Sequence, residues 1–172
     1  GPFLAKNFAS SISPWIVTLD ALEPFKCASP EQNPKPLPYL QQTGNHAYDI
    51  NLQVAIQPEN AVETVVSNSN FKYMYWTMSQ QLAHHTINGC RVNSGDMMGS
   101  GTISGPTPDS FGSMLELTWG GKNPIQMNDG SERKFINDND TVIIRGYCQN
   151  DEVRIGFGEV SSKLLPAVEL KF

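Results

Sequence analysis

Five prolines, Pro24, Pro30, Pro34, Pro36 and Pro38, are crowded into one short polar run. Each removes a backbone donor and fixes φ, so neither a helix nor a central strand can run through this stretch. The chain must cross it as an extended connecting loop that ends near Tyr39-Leu40. Long ordered loops of this kind usually carry function or reach across an interface. Regular structure is therefore confined to either side. Upstream, Gly1 to Ser13 is loop-like, and Trp15 to Leu19, after Pro14, predicts a strand.

Downstream, residues 48–56 alternate: Ile50, Leu52, Val54 and Ile56 point one way, Asp49, Asn51 and Gln53 the other. That is the pattern of a half-buried strand. Val62, Val65 and Val66 suggest a short partner. The best helix is predicted over Phe71 to Thr86. Asn70 or Ser69 would cap its start, Asn88-Gly89 would stop it, and Phe71, Met74, Tyr75, Met78 and Leu82 would form its apolar stripe. A β-rich second half is expected from about Met97, with strands at Leu115 to Trp119, Thr141 to Tyr147 and Val153 to Val160. Gly120-Gly121 and Asp129-Gly130 mark turns between them. The sum is a mixed, mainly β domain with one prominent helix at about residues 71–86, not a βαβ array.

The bulk properties exclude several classes. A length of 172 residues suffices for one domain with a core. The net charge of −5 and a pI near 5.1 argue against a nucleic-acid surface. No apolar run reaches the ~18 residues of a membrane span, and no signal peptide is visible. Cys27, Cys90 and Cys148 are odd in number and scattered, which fits free buried thiols in a reducing, cytoplasmic setting better than a disulfide framework or a zinc site.

Four places could carry chemistry. Gly101-Thr102-Ile103-Ser104-Gly105-Pro106 is a small-residue loop that could bring amides and a hydroxyl close to a ligand, or could be a plain turn. Glu116 has apolar neighbours on both sides. A buried carboxylate there would need a cation, a metal or a donor, while alternation equally allows a solvated face. Lys6 could stabilise an oxyanion or be solvated. His84-His85 resembles a base or metal pair, but adjacent helical side chains point about 100° apart, which favours a structural role at the helix end.

Longer motifs add a resemblance. Phe71-Lys72-Tyr73-Met74-Tyr75-Trp76-Thr77-Met78 with Gln80-Gln81-Leu82 and His84-His85 is similar to a helix of the fumarylacetoacetases. So is Ser100-Gly101-Thr102-Ile103-Ser104-Gly105-Pro106, continuing through Phe111-Gly112-Ser113-Met114-Leu115-Glu116-Leu117. Gly1-Pro2-Phe3-Leu4, Lys6-Asn7-Phe8, Ser13-Pro14-Trp15 and Arg154-Ile155-Gly156-Phe157-Gly158 match the same family, so the resemblance covers essentially the whole chain. It implies a β-roll and the C-terminal part of one catalytic domain spanning residues 1–172, with the N-terminal part of that domain outside the chain.

The activity implied is hydrolysis of a carbon–carbon bond of fumarylacetoacetate to fumarate and acetoacetate, in tyrosine and phenylalanine breakdown. In that family a histidine activates water and a glutamate orients it; Glu116 matches the glutamate. Lys6 matches an oxyanion donor and Thr102 a substrate contact. Lys6 and Ser10 match positions at which the family binds a divalent cation, Mg2+ and/or Ca2+. The water-activating histidine and the carboxylate ligands are expected upstream of Gly1, so these residues alone are expected to be inactive. The family usually has Gly and Thr where this chain has Ala9 and Ser10; serine keeps the hydroxyl. The partners implied are the substrate and a second copy of the enzyme, without nucleic acid or membrane. Two alternatives remain open at this point: an acylpyruvase-type hydrolase of the same superfamily, and a non-catalytic β module.

Overall fold

The apolar alternation at Ile50, Leu52, Val54 and Ile56 lies at the centre of the molecule. A computed structural model describes residues 8–169. Its elements in chain order are α1 (Leu19–Leu22), β1 (Lys26–Cys27), β2 (Ala47–Tyr48), β3 (Asn51–Gln57), β4 (Thr64–Asn70), α2 (Met78–Thr86), α3 (Met114–Leu117), β5 (Ile125–Gln126), β6 (Glu132–Arg133), β7 (Thr141–Gln149) and β8 (Arg154–Lys163). The main sheet has four strands in the order β4-β3-β7-β8, antiparallel throughout. β1 with β2 and β5 with β6 form two small ribbons. The fold is mixed and mainly β.

Alternation along β3 feeds two apolar clusters on one face of the sheet. Ile50 and Leu52 pack with Leu22, Phe25, Tyr48 and Cys148. Val54 joins Ile56, Val66 and Met127, against which Met114 and Leu117 of α3 also pack. This second cluster matters for function. Met114 and Leu117 are three apart and turn toward the sheet, so Glu116 between them is left to face outward.

Ion pairs tie the strands to one another and to their flanks. Arg145 on β7 makes a two-pronged contact with Glu63 at 2.9 Å on each arm and reaches Glu159 of β8 at 2.7 Å. The Arg133 guanidinium grips Asp140 at 2.7 and 2.8 Å, and the Asn137 amide donates to the same carboxylate at 2.9 Å. Asp140 is only 1 % exposed. Burial pushes its carboxyl up, but Arg133 and Asn137 outweigh that and hold it below its ordinary value. The three cysteines are free thiols, but only Cys148 is buried; Cys27 is half-buried and Cys90 is exposed. Burial raises the Cys148 thiol to about 11, with Asp49 adding to the shift.

Four expectations are corrected. Trp15 to Leu19 is not a strand: Thr18 caps α1 by accepting from the Ala21 amide at 3.3 Å, and Asp20 sits in its first turn. Trp15 instead covers Gly158, whose φ of +73° sits at a register shift between β7 and β8. A Cβ at Gly158 would fall 2.2 Å from the indole. Ser13 donates to the Phe157 carbonyl at 2.7 Å, fixing the segment along β8.

The helix predicted over 71–86 is two elements. Asn70 does cap, accepting from the Lys72 amide at 3.0 Å, but it caps a single 3-10 turn at Phe71–Tyr73. The chain then extends until Thr77 starts α2 with a reciprocal capping box to Gln80, at 3.0 and 3.2 Å. The local Thr-x-x-Gln signal therefore outranks the apolar spacing, and Phe71 and Met74 lie outside the helix. Gly89 closes it with φ +87°.

Leu115 to Trp119, read as a strand, is the helical turn α3 with its start at Ser113, whose hydroxyl accepts from the Glu116 amide at 3.3 Å. Positive φ at Trp119, Gly120 and Gly121 ends it. Nor does a strand begin near Met97: residues 87–113 are irregular apart from one 3-10 turn at Pro108–Ser110.

Candidate active site

Two glycines let the loop of residues 101–106 press against the segment that leads into α3. A Cβ at Gly112 would lie 2.4 Å from the Ile103 carbonyl oxygen and 2.8 Å from the Thr102 methyl. A Cβ at Gly105 would lie 2.5 Å from Ser110 Oγ. Neither space exists for a side chain. The Gly105 amide bonds the Ser110 carbonyl at 2.8 Å, and Ser110, buried at 3 %, closes the turn through Thr107 at 2.7 to 3.0 Å.

This packing sets the surroundings of Glu116. Its carboxylate is exposed, not buried, and it lies on a helical turn, not an edge strand. It is nonetheless held. Ser104 Oγ lies 2.9 Å from Oε1 and 3.0 Å from Oε2, and Ser113 Oγ donates to Oε2 at 2.6 Å. The two serines follow from local structure: one is on the packed loop, the other is the helix cap.

Thr102 is exposed, and its methyl abuts Gly112, whose amide donates to Ser104 Oγ at 3.0 Å. Thr102 and Glu116 are thus joined through Gly112 and Ser104 in one surface patch. Ser10 is exposed elsewhere, on the segment beside β8, where its neighbour Ser11 accepts from Ser162 at 2.8 Å. Lys6 lies outside the described residues.

His46 and His84 are engaged with partners other than Glu116. His84 Nδ1 pairs with the Tyr39 hydroxyl at 2.9 Å and the rings stack. Both line a groove of about 660 Å³ between the proline-rich loop and α2. His46 Nε2 meets the Thr43 carbonyl at 2.9 Å, and His85 is exposed on α2. The resemblance implies a divalent cation. Among the described residues no three of His, Cys, Asp and Glu come together, so these side chains do not form the charged oxygen cage a hard cation takes.

Sequence reading singled out Glu116 and Thr102 but not the serines that organise them. A signal was present: Ser113-x-x-Glu116 is the pattern of a helix start. Ser104 had none, since its contact with Glu116 depends on loop packing.

Residues 1–164 match the family model described as fumarylacetoacetate (FAA) hydrolase C-terminal, and the chain belongs to this family. Among individual relatives it is similar to the fumarylacetoacetase of Homo sapiens, 54% identical over 169 residues, covering 98% of this chain and 40% of that protein. It is also similar to fumarylacetoacetase of Dictyostelium discoideum, 55% identical over 170 residues, and of Arabidopsis thaliana, 51% over 168 residues, each covering 97% of this chain. The chain spans about 40% of the length of these curated relatives.

Proposed function

We propose that this chain supplies the C-terminal part of a fumarylacetoacetase catalytic domain, hydrolysing fumarylacetoacetate to fumarate and acetoacetate. The observation that carries the reading is the held carboxylate of Glu116 beside Thr102, on a helical turn anchored to the sheet core by Met114 and Leu117. Relatives that bear the name fumarylacetoacetase at 51 to 55% identity support it.

The chemistry follows from what a fixed, solvent-reachable carboxylate can do. Glu116 accepts an N–H from an imidazole base, sets its tautomer and stabilises the imidazolium that forms when the base takes a proton from water. Water adds to a diketone carbonyl, and the oxyanion meets cationic and amide donors, with Lys6 proposed as one. Collapse breaks the carbon–carbon bond, and the carbanion leaving as acetoacetate takes up a proton. Thr102 contacts substrate from the same patch. The base is proposed to be a histidine other than His46, His84 and His85.

A divalent cation, magnesium or calcium, is proposed for the enzyme, and when bound it would supply Lewis acidity. Ser10, with its hydroxyl, and Lys6 are proposed at the edge of that site. A homodimer in the cytoplasm is the proposed setting. No described helix is long and apolar enough to cross a membrane.

The test is substrate choice. The protein expressed from its complete coding sequence is assayed with fumarylacetoacetate and with acylpyruvates, following loss of diketone absorbance and release of fumarate. Fumarylacetoacetate should be preferred in kcat/KM by about 10-fold or more, the scale of pocket-level discrimination. Preference for acylpyruvates would make it the related acylpyruvase-type enzyme, and turnover of neither would leave a non-catalytic module.

A further inference from the structure

An exposed glutamate usually samples several rotamers, so a carboxylate that must orient another group needs a device to hold it. We propose that Ser104 and Ser113 are that device: positioning residues that fix the Glu116 carboxylate so that its Oε1 side is presented to the base. The inference rests on Glu116 being the base-orienting carboxylate.

Each serine acts as a relay from backbone to carboxylate. The Gly112 amide donates to Ser104 Oγ at 3.0 Å, occupying an acceptor site and turning the hydroxyl proton toward Glu116. The Glu116 amide does the same to Ser113 Oγ at 3.3 Å, and Ser113 then donates to Oε2 at 2.6 Å. Donors chained in this way polarise one another, and bonds to an ionised acceptor are the strong kind. The distribution is uneven. Among the described residues, Oε2 receives both Ser113 and Ser104, whereas Oε1 shares only the Ser104 hydroxyl. A carboxylate offers about four lone-pair sites, so Oε1 keeps acceptor capacity for an imidazole N–H.

The bland alternative is that the serines only tie the loop of residues 101–106 to α3. A double-mutant cycle on the protein expressed from its complete coding sequence separates the two. Ser104→Ala and Ser113→Ala should each lower kcat about 10-fold with KM changed less than about 2-fold, and Ser104→Thr should restore most of the loss, by the usual scale of bonds to charged groups. In a Glu116→Gln background the Ser104→Ala change should cost almost nothing further, because there is no longer a charged acceptor to aim. A loop-tying role predicts instead that the loss persists, since the glutamine carbonyl still accepts from Ser104. If Ser104→Ala does not fold, Ser104→Cys, which fills the same place but donates weakly, carries the comparison. An inactive Glu116→Gln beside serine variants of normal kcat, or a Ser104→Ala loss that persists in full in that background, overturns the inference alone. Near-normal turnover in Glu116→Gln removes the functional reading and this inference with it.

Discussion

The sheet and the loops around α3 are built on different rules. In the sheet, β3 lies between β4 and β7, its residues Asn51 to Ile56 are fixed by register on both sides, and its apolar face packs into two clusters. Around α3, residues 87–113 carry almost no regular structure, and the arrangement depends on two glycines without room for a Cβ and on a few hydroxyl bonds. One region is held by burial and the other by close approach and hydrogen bonding. Damage to the first should therefore appear as lost stability, and damage to the second as lost chemistry at nearly constant stability.

The sharpest way to probe the sheet side is the buried ion pair next to β7. Asp140→Asn leaves Arg133, itself 11% exposed, without its charge partner. Removing one member of a buried pair should cost about 3 kcal/mol. Turnover per folded molecule should stay near normal. The pH dependence has a definite sign. The folded-state carboxyl lies below its ordinary value, so its contribution is present above about pH 4 and is lost as pH falls through the folded value. Thermal or urea unfolding from pH 7 to pH 3 should show the gap between wild type and Asp140→Asn narrowing toward acid. A constant gap would mean that the destabilisation is steric and not electrostatic.

A smaller effect is expected from Thr77→Ala. It removes one half of the capping box that starts α2, which should cost about 1 kcal/mol. Thr77 also donates to Gln42 at 2.7 Å, which ties the helix start to the loop before β2. Equilibrium unfolding measures the loss, and activity should be unchanged. A large fall in turnover without loss of stability would break the division between framework and site.

The same division explains what could be read from the residues alone. Alternation survived translation into structure at Ile50, Leu52, Val54 and Ile56 because a period of two is a property of one strand and needs no knowledge of its neighbours. The strands expected at Thr141 to Tyr147 and Val153 to Val160 correspond to β7 and β8. The errors cluster where a local cap overrode an apolar pattern. Thr77 and Thr18 each start a helix inside a run that was assigned differently, and Ser113 starts one just before such a run. Glu116 was legible as an odd carboxylate among apolar residues, but its partner Ser104 was not, because the two stand twelve positions apart and packing at Gly105 and Gly112 brings them together. Trp15 on Gly158 is the same case at longer range.

The central claim is that Glu116, exposed as it is, is a carboxylate held in place for catalysis. Its most direct test is kcat of Glu116→Gln in the protein expressed from its complete coding sequence, measured with saturating fumarylacetoacetate beside a melting curve. The expected result is an unchanged melting temperature and a kcat lower by about 10²-fold or more, the usual magnitude for a base–orienter pair. Turnover close to wild type, with the fold intact, would contradict it.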